Sequence, residues 1–204
     1  MGIKERRERQ KENLRQEILD AASDLFANEG YQNVSMRKIA EKIEYSPTTI
    51  YLYFKDKTDL LNQICEETFS KLTQVQERIV KQNADDPFIC LRKGMRAYVD
   101  FGLKHPNHYE LTFITPLAEF LGKDIHPYEG SMGQKAFNGL RDAVTACIEH
   151  SRLKRGDVDA ISQALWAGIH GVTSLLIAHT DFPFVSKNKL IDTVIDTMID
   201  GLKS

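Results

Sequence analysis

The chain has 204 residues, 42% of them hydrophobic, and a formal net charge of −2. Length and apolar share suit one large domain, or a small domain joined to a larger one, around a proper core. A charge so near zero excludes a protein that attracts polyanions through its overall field, so any nucleic-acid contact must come from a local patch.

Such a patch opens the chain. Up to residue 15, Lys4, Arg6, Arg7, Arg9, Lys11 and Arg15 outnumber Glu5, Glu8 and Glu12. A basic arm of this kind touches a polyanion, or is simply the solvated start of a helix. It contains no apolar segment, which predicts no signal peptide. Cys65, Cys90 and Cys147 are too widely spaced for a CxxC site or a disulfide framework. Reduced thiols in a cytoplasm fit them best. No apolar run approaches the roughly 20 residues needed to span a bilayer, so the expectation is a soluble, cytoplasmic protein with no membrane partner.

The periodic segments repeat at helical spacing. Leu14, Ile18, Ala21, Ala22, Leu25 and Phe26 form one stripe, and Gly30 is a stop signal. Ser35 caps a short helix with Ile39, Ala40 and Ile43 inward. Ser46 and Pro47 are an N-cap and first helical residue. Asp56 caps a long helix from Lys57 to about Gln82. Asp86 and Pro87 start another that ends at His105, because Pro106 disfavours helix in the residue before it. A short helix follows over about 107–113, then a loop over 122–133. Helices are predicted over 134–151, 157–180 and 186–202. No strand pattern, repeat or low-complexity tract appears. The fold class is all-α with about nine helices, divided into an N-terminal domain over 1–60 and a C-terminal domain over 61–204.

The stretch SPTTIYLYFKDK (46–57) carries the strongest functional signal. At 100° per residue, Ile50 and Phe54 fall within about 40° of each other and anchor one side. Thr48, Thr49 and Leu52 face the other way, flanked by Tyr51 and Tyr53. A core helix would not expose threonines, and a solvated one would rarely invest in two tyrosines. With the preceding helix and the turn Glu44-Tyr45-Ser46, the spacing is that of a helix-turn-helix, whose second helix enters the major groove of double-stranded DNA. Threonine hydroxyls and methyls suit base edges there. Tyrosine hydroxyls suit phosphates. Lys57, at the start of the next helix, joins its charge to exposed N–H groups, and Lys55 adds to it.

VSMRKIAEKIEYSPTTIYLYFKDKTDLL (34–61) resembles the DNA-binding domain of the TetR family of bacterial transcriptional regulators. The likeness covers about residues 10–62 and rests on Ile39-Ala40, Ser46, Tyr51, Tyr53-Phe54 and Lys57. One departure is Glu44, where the family usually has glycine; a left-handed non-glycine residue costs roughly 1–2 kcal/mol. The resemblance implies a homodimer on a palindromic operator, released when a small molecule fills the C-terminal domain. It also implies that Ser35 and Arg37 touch the DNA. Ser46 is a DNA contact or only a cap.

YVDFGLKHPNHYELTF (98–113) and WAGIHG (166–171) resemble the C-terminal domain of the TetR subgroup named for Trp-His-Gly. In the helix over 157–180, Ile161, Leu165, Ile169, Val172 and Leu176 span about 80°, the core stripe. Trp166, His170, Thr173 and Ile177 form a second face, a candidate ligand wall, with Tyr98, Phe101, His105, Tyr109 and Phe113 opposite; the alternative is ordinary aromatic core. Aromatic walls with few charges suit a mostly apolar effector. Ala164, Gly168 and Gly171 form a third face that lets a helix approach closely. In the last helix, Leu190, Ile191, Val194, Ile195, Met198, Ile199 and Leu202 cover about 180°, with Asp192, Asp196 and Asp200 opposite. That is wider than the roughly 100° one core needs. The candidate dimer interface is therefore Ala164, Gly168, Gly171, Leu175, Ile191, Ile195 and Met198.

His105, His108 and Glu110 do not complete a tetrahedral metal set, so no metal or cofactor is expected. GxSxG, P-loop, GxGxxG and HExxH patterns are absent, which argues against an enzyme. A helical protein-interaction module remains the other alternative, and it would not need the Thr-Tyr-Lys display.

Overall fold

The computed structural model describes residues 2–115 and 128–203. Among these, nine helices appear: α1 (Ile3–Glu29), α2 (Met36–Lys42), α3 (Pro47–Tyr51), α4 (Lys57–Gln82), α5 (Pro87–Lys104), α6 (Pro106–Tyr109), α7 (Met132–Glu149), α8 (Val158–Ala178) and α9 (Lys187–Leu202). The fold is all-α, with no strand among the described residues.

The start signals act as caps. Ser35 Oγ accepts from the Lys38 N–H at 3.2 Å, and Ser46 Oγ from the Thr49 N–H at 3.2 Å. Asp86 accepts from Phe88 and Ile89, and Asp157 from Asp159 and Ala160. Each satisfies donors that the first helical turn leaves without a partner.

Several boundaries depart from the sequence expectation. α1 starts at Ile3, well before its apolar stripe at Leu14. The packed portion supplies the nucleus, so the extension needs only propagation through good helix formers. α3 stops at Tyr51 rather than running to Phe54, because the Ile50 carbonyl accepts from both Tyr53 and Phe54 N–H groups, each at 3.0 Å, tightening the last turn. The short helix expected over 107–113 is α6 followed by a π-helical turn, Glu110–Ile114. The loop expected over 122–133 lies outside the described residues up to 127. Residues 128–131 form a turn, and Ser131 caps α7.

The described residues divide into two compact units, one of 2–68 with 107–115, the other of 69–106 with 128–203. The division thus falls within α4, not at residue 60, and the first unit takes in α6. Its core is Ile18, Leu19, Ala22, Phe26, Ile39, Ile50, Phe54, Leu60 and Ile64, joined by Leu111. Asn107 Nδ2 donates to Asp24 at 2.9 Å, and His108 Nδ1 lies 3.2 Å from Thr68 Oγ1, tying α6 to α1 and α4. Burial pushes the Asp24 carboxyl up, but the bonds from Asn107 and Lys42 and the charges of Lys42 and His108 outweigh it and hold it below the usual range.

The second unit packs α5, α7, α8 and α9 around Leu91, Met95, Val99, Val144, Leu165, Ile169, Ile195 and Ile199. Asp192 and Asp196 on α9 do not simply face water. Arg92 grips Asp196 through two bonds of 2.7 and 3.0 Å, and Arg96 reaches Asp192 at 3.0 Å. The wide apolar arc of α9 is therefore explained in part within the protomer. Contrary to the sequence expectation, α8 is long and apolar enough by length and composition to cross a bilayer, with a mean hydropathy of 1.3. Its face of Leu165, Ile169, Val172 and Leu176 is packed inside the protein, as in a core helix.

Candidate nucleic-acid interface and ligand site

The first unit builds a display on α3. Ile50 and Phe54 are buried at 0% and 1%, fixing the helix from behind. Thr48 and Pro47 are exposed, Tyr51 is 55% exposed and Leu52 76%. Thr49 is half-buried, and its hydroxyl lies 2.9 Å from Ser46 Oγ, so both side chains belong to the N-cap. Tyr53 is half-buried against the core of the unit, leaving Tyr51 as the outward tyrosine of the pair. Tyr45 is 44% exposed, immediately before the cap. It carries no helical periodicity, which is why sequence reasoning passed over it; an aromatic in a polar turn was the available signal.

Glu44 takes a left-handed conformation at φ 60°. The turn keeps its form, with the Tyr45 N–H donating to the Ala40 carbonyl at 3.0 Å. The side chain is exposed, so the cost is local strain alone.

Ser35 and Lys55 are exposed, and Arg37 is paired with Glu41 at 2.8 Å on an open surface. Lys57 differs from the expectation of a free phosphate ligand. Its ammonium donates to the carbonyls of Tyr31 at 2.7 Å and Val34 at 3.0 Å, and lies 4.2 Å from the Tyr31 ring centroid. Burial pulls its pKa down. An open groove along α1 is lined in part by Glu17, Asp20, Asp24 and Lys42, with Lys42 paired to Asp24 at 3.1 Å; its net acidic lining does not attract phosphates.

In the second unit, Trp166 Nε1 donates to Tyr98 Oη at 3.2 Å, and Tyr98 Oη lies 3.3 Å from His170 Nδ1. The phenol oxygen accepts from Trp166, and the direction of its bond with His170 Nδ1 follows the imidazole tautomer. Burial pulls the His170 pKa below its ordinary value, which favours the neutral imidazole. Tyr98 is 6% exposed, whereas Trp166 is 39% exposed. Phe101 packs on His105 at 5.0 Å. Phe137 of α7 meets Trp166 edge-on at 6.0 Å, a neighbour with no signal in the sequence because α7 and α8 register only on folding.

Three expectations for this site are corrected. Tyr109 and Phe113 belong to the first unit, where they stack at 4.8 Å and Tyr109 is buried at 1%. Thr173 is fully buried, with its hydroxyl donating to the Ile169 carbonyl at 2.6 Å, a core residue of α8.

The expected dimer face is also redrawn. Ile191 and Ile195 are buried inside the protomer. A Cβ on Gly168 would collide with the Met198 sulfur of the same chain, so this glycine lets α9 approach α8. A Cβ on Gly171 would meet nothing within 4 Å. Ala164 and Leu175 are exposed, and Ala160, Ala164, Ala167, Gly171, Ser174 and Ala178 recur at alternating steps of four and three, a seam of small residues along the outer side of α8.

A family model described as bacterial regulatory proteins, tetR family, matches residues 18–64. A second, described as tetracyclin repressor-like, C-terminal domain, matches residues 91–202, more than half of the chain. The HTH-type transcriptional regulator AcrR of Shigella flexneri is 33% identical over 68% of this chain and 66% of its own. The fatty acid metabolism regulator protein of Bacillus subtilis is 35% identical over 33% of this chain and 35% of its own. The chain thus spans under two thirds of the length of either relative. Among solved structures, the TetR family transcriptional regulator PfmR of Thermus thermophilus superposes with a TM-score of 0.76 at 19% identity, covering 92% of this chain and 99% of that one.

Proposed function

Because this chain belongs to the TetR family of bacterial regulatory proteins, we propose that it is a cytoplasmic, ligand-responsive repressor of transcription that binds a palindromic operator as a homodimer. The family is one of regulators, not of enzymes. The observation that carries the reading is α3. A helix of five residues, anchored by Ile50, turns Thr48, Tyr51 and Leu52 outward, and the exposed Ser35, Arg37 and Lys55 are at hand for phosphates. Ser46 and Thr49 shape the first turn, and Pro47 is an apolar contact.

The homodimer reading is supported by the outer side of α8, whose small residues suit close approach of a second copy, with Leu175 beside them and the half-buried Leu190 and Val194 of α9 extending the surface. The ligand reading is supported by Trp166, Tyr98 and His170. A partly open indole beside two polar groups suits a mostly apolar molecule with one or two polar atoms. Trp166, His170 and Gly171 on one helix support placing the second unit in the Trp-His-Gly subgroup.

Selection from random duplexes by the purified protein tests this function. The expected product is an inverted repeat whose half-site centres lie roughly 34–36 Å, or a multiple, apart. Enrichment of no sequence would leave a helical protein-interaction module as the better account.

A further inference from the structure

Lys57 opens α4, yet its ammonium points back to the connection between α1 and α2. The two carbonyls it binds bracket the single 3-10 turn Tyr31–Asn33, and the second, that of Val34, immediately precedes Ser35, the N-cap of α2. Tyr31 is buried, with its ring beneath the ammonium and packed on Phe26 at 5.3 Å, and its hydroxyl lies 3.1 Å from Thr58 Oγ1. The first turn of α4 therefore grips one short piece of chain at three points: two carbonyls and a phenol. A lysine offers three N–H donors. Two are directed at these carbonyls and the aromatic face covers a further side, so the charge is held for the fold before any DNA arrives. The Tyr31 carbonyl also accepts from the Val34 N–H at 3.4 Å, so the bond to the Val34 carbonyl is the one whose loss would be costly.

We propose that Lys57 is a positioning residue: it holds the start of α2 against α4, and its effect on operator binding passes through Ser35 and Arg37 rather than through a phosphate bound to its own ammonium. The inference rests on the DNA-binding reading above only for its last step. The same arrangement couples the α2 start directly to the first turn of α4.

Two measurements on Lys57→Met, which keeps the aliphatic stem and removes all donors, test this. Amide hydrogen exchange of the DNA-free protein should quicken at 34–38 and stay unchanged at 47–51. Unchanged exchange at both would overturn the proposal, whatever the protein binds. On the selected duplex, affinity should fall about tenfold while the slope of log K against log salt stays that of the unsubstituted protein. A phosphate ligand on each protomer would instead lower the slope by about 1.8, at roughly 0.9 per phosphate, and that result would overturn the proposal too. In the Arg37→Ala background, Lys57→Met should cost less than about twofold; a full tenfold loss there would mean independent action. Should Lys57→Met fail to fold, Lys57→Gln keeps a neutral donor without a charge. Its salt slope should equal that of the parent protein, and a fall would again decide for the phosphate. If no duplex is selected, the function reading fails, while the exchange measurement still decides the role of Lys57.

Discussion

α3 and α8 each turn an unusual surface outward, and they do so by opposite means. α3 is five residues long and held by one fully buried isoleucine, with large polar and aromatic side chains displayed. α8 has 21 residues, is anchored by an apolar stripe, and carries mostly alanine and glycine along one side, with the exposed Leu175 beside them. Side chains that project suit grooves lined with hydrogen-bonding edges. A surface stripped of side chains suits another helix, because backbones can then approach closely. In the proposed function the first surface reads and the second pairs, and side-chain size alone distinguishes them.

The largest expected effect separates two glycines of α8. Gly171→Arg should split the dimer at micromolar concentration, as seen by sedimentation, and reduce operator affinity by orders of magnitude while helicity is retained. A dimer that survives would place the pairing surface elsewhere. Gly168→Val acts within one protomer, where the added methyls meet Met198. It should lower unfolding stability by about 1–3 kcal/mol through overpacking. Denaturant titration checks this, and equal stability would mean that Met198 simply swings away.

On the other surface, Thr48→Ala should change preference at one or two base positions by about 1 kcal/mol, with stability untouched. Binding to a panel of singly substituted operators measures it; an unchanged base preference would reduce Thr48 to a solvated residue. Glu44→Gly should relieve the left-handed strain at φ 60°. Relief is partly offset by a more flexible unfolded chain, so a gain of about 0.5–1 kcal/mol is expected. A loss in thermal unfolding would mean the turn is not strained.

The smallest effect concerns His170. Its folded pKa lies below its ordinary value of 6.5, so the unfolded chain binds the proton more readily. Its contribution to stability is complete above about pH 6.5 and declines as the pH falls toward the folded value. His170→Gln should therefore lose less stability than the parent protein between about pH 7 and pH 5. Parallel pH curves for the two proteins would count against the buried, neutral imidazole.

The reading surface was legible in the sequence because it is local. Ser46, Pro47, Ile50 and Thr48 lie within one turn and a half, and cap chemistry with helical angles decides which way each faces. Tyr53 escaped that logic because α3 ends at Tyr51 and the wheel no longer applies beyond it. Lys57 escaped it because its partners, Tyr31 and Val34, are distant in the chain. The pairing surface was half legible. Ala164, Gly168 and Gly171 fall on one small-residue arc by periodicity, but Gly168 faces α9. Periodicity tells that a face is small, not which neighbour fills it. Asp192 and Asp196 carried the same ambiguity, since an acidic stripe reads as a solvated face until Arg92 and Arg96 are placed across from it. Trp166, Tyr98 and His170 were associated correctly, while Tyr109 and Phe113 belong with another core because Pro106 ends α5 between the two groups.

The exposed beginning of α1 bears on how this protein can be handled. From Lys4 to Asn13 the side chains of α1 lie on the surface, ahead of the apolar stripe that begins at Leu14. At about 1.5 Å per residue, these ten residues add about 15 Å to α1. A dye or spin label at Lys4 or Lys11 would therefore replace a side chain outside the core and leave the packing of Ile18, Leu19 and Ala22 as it is.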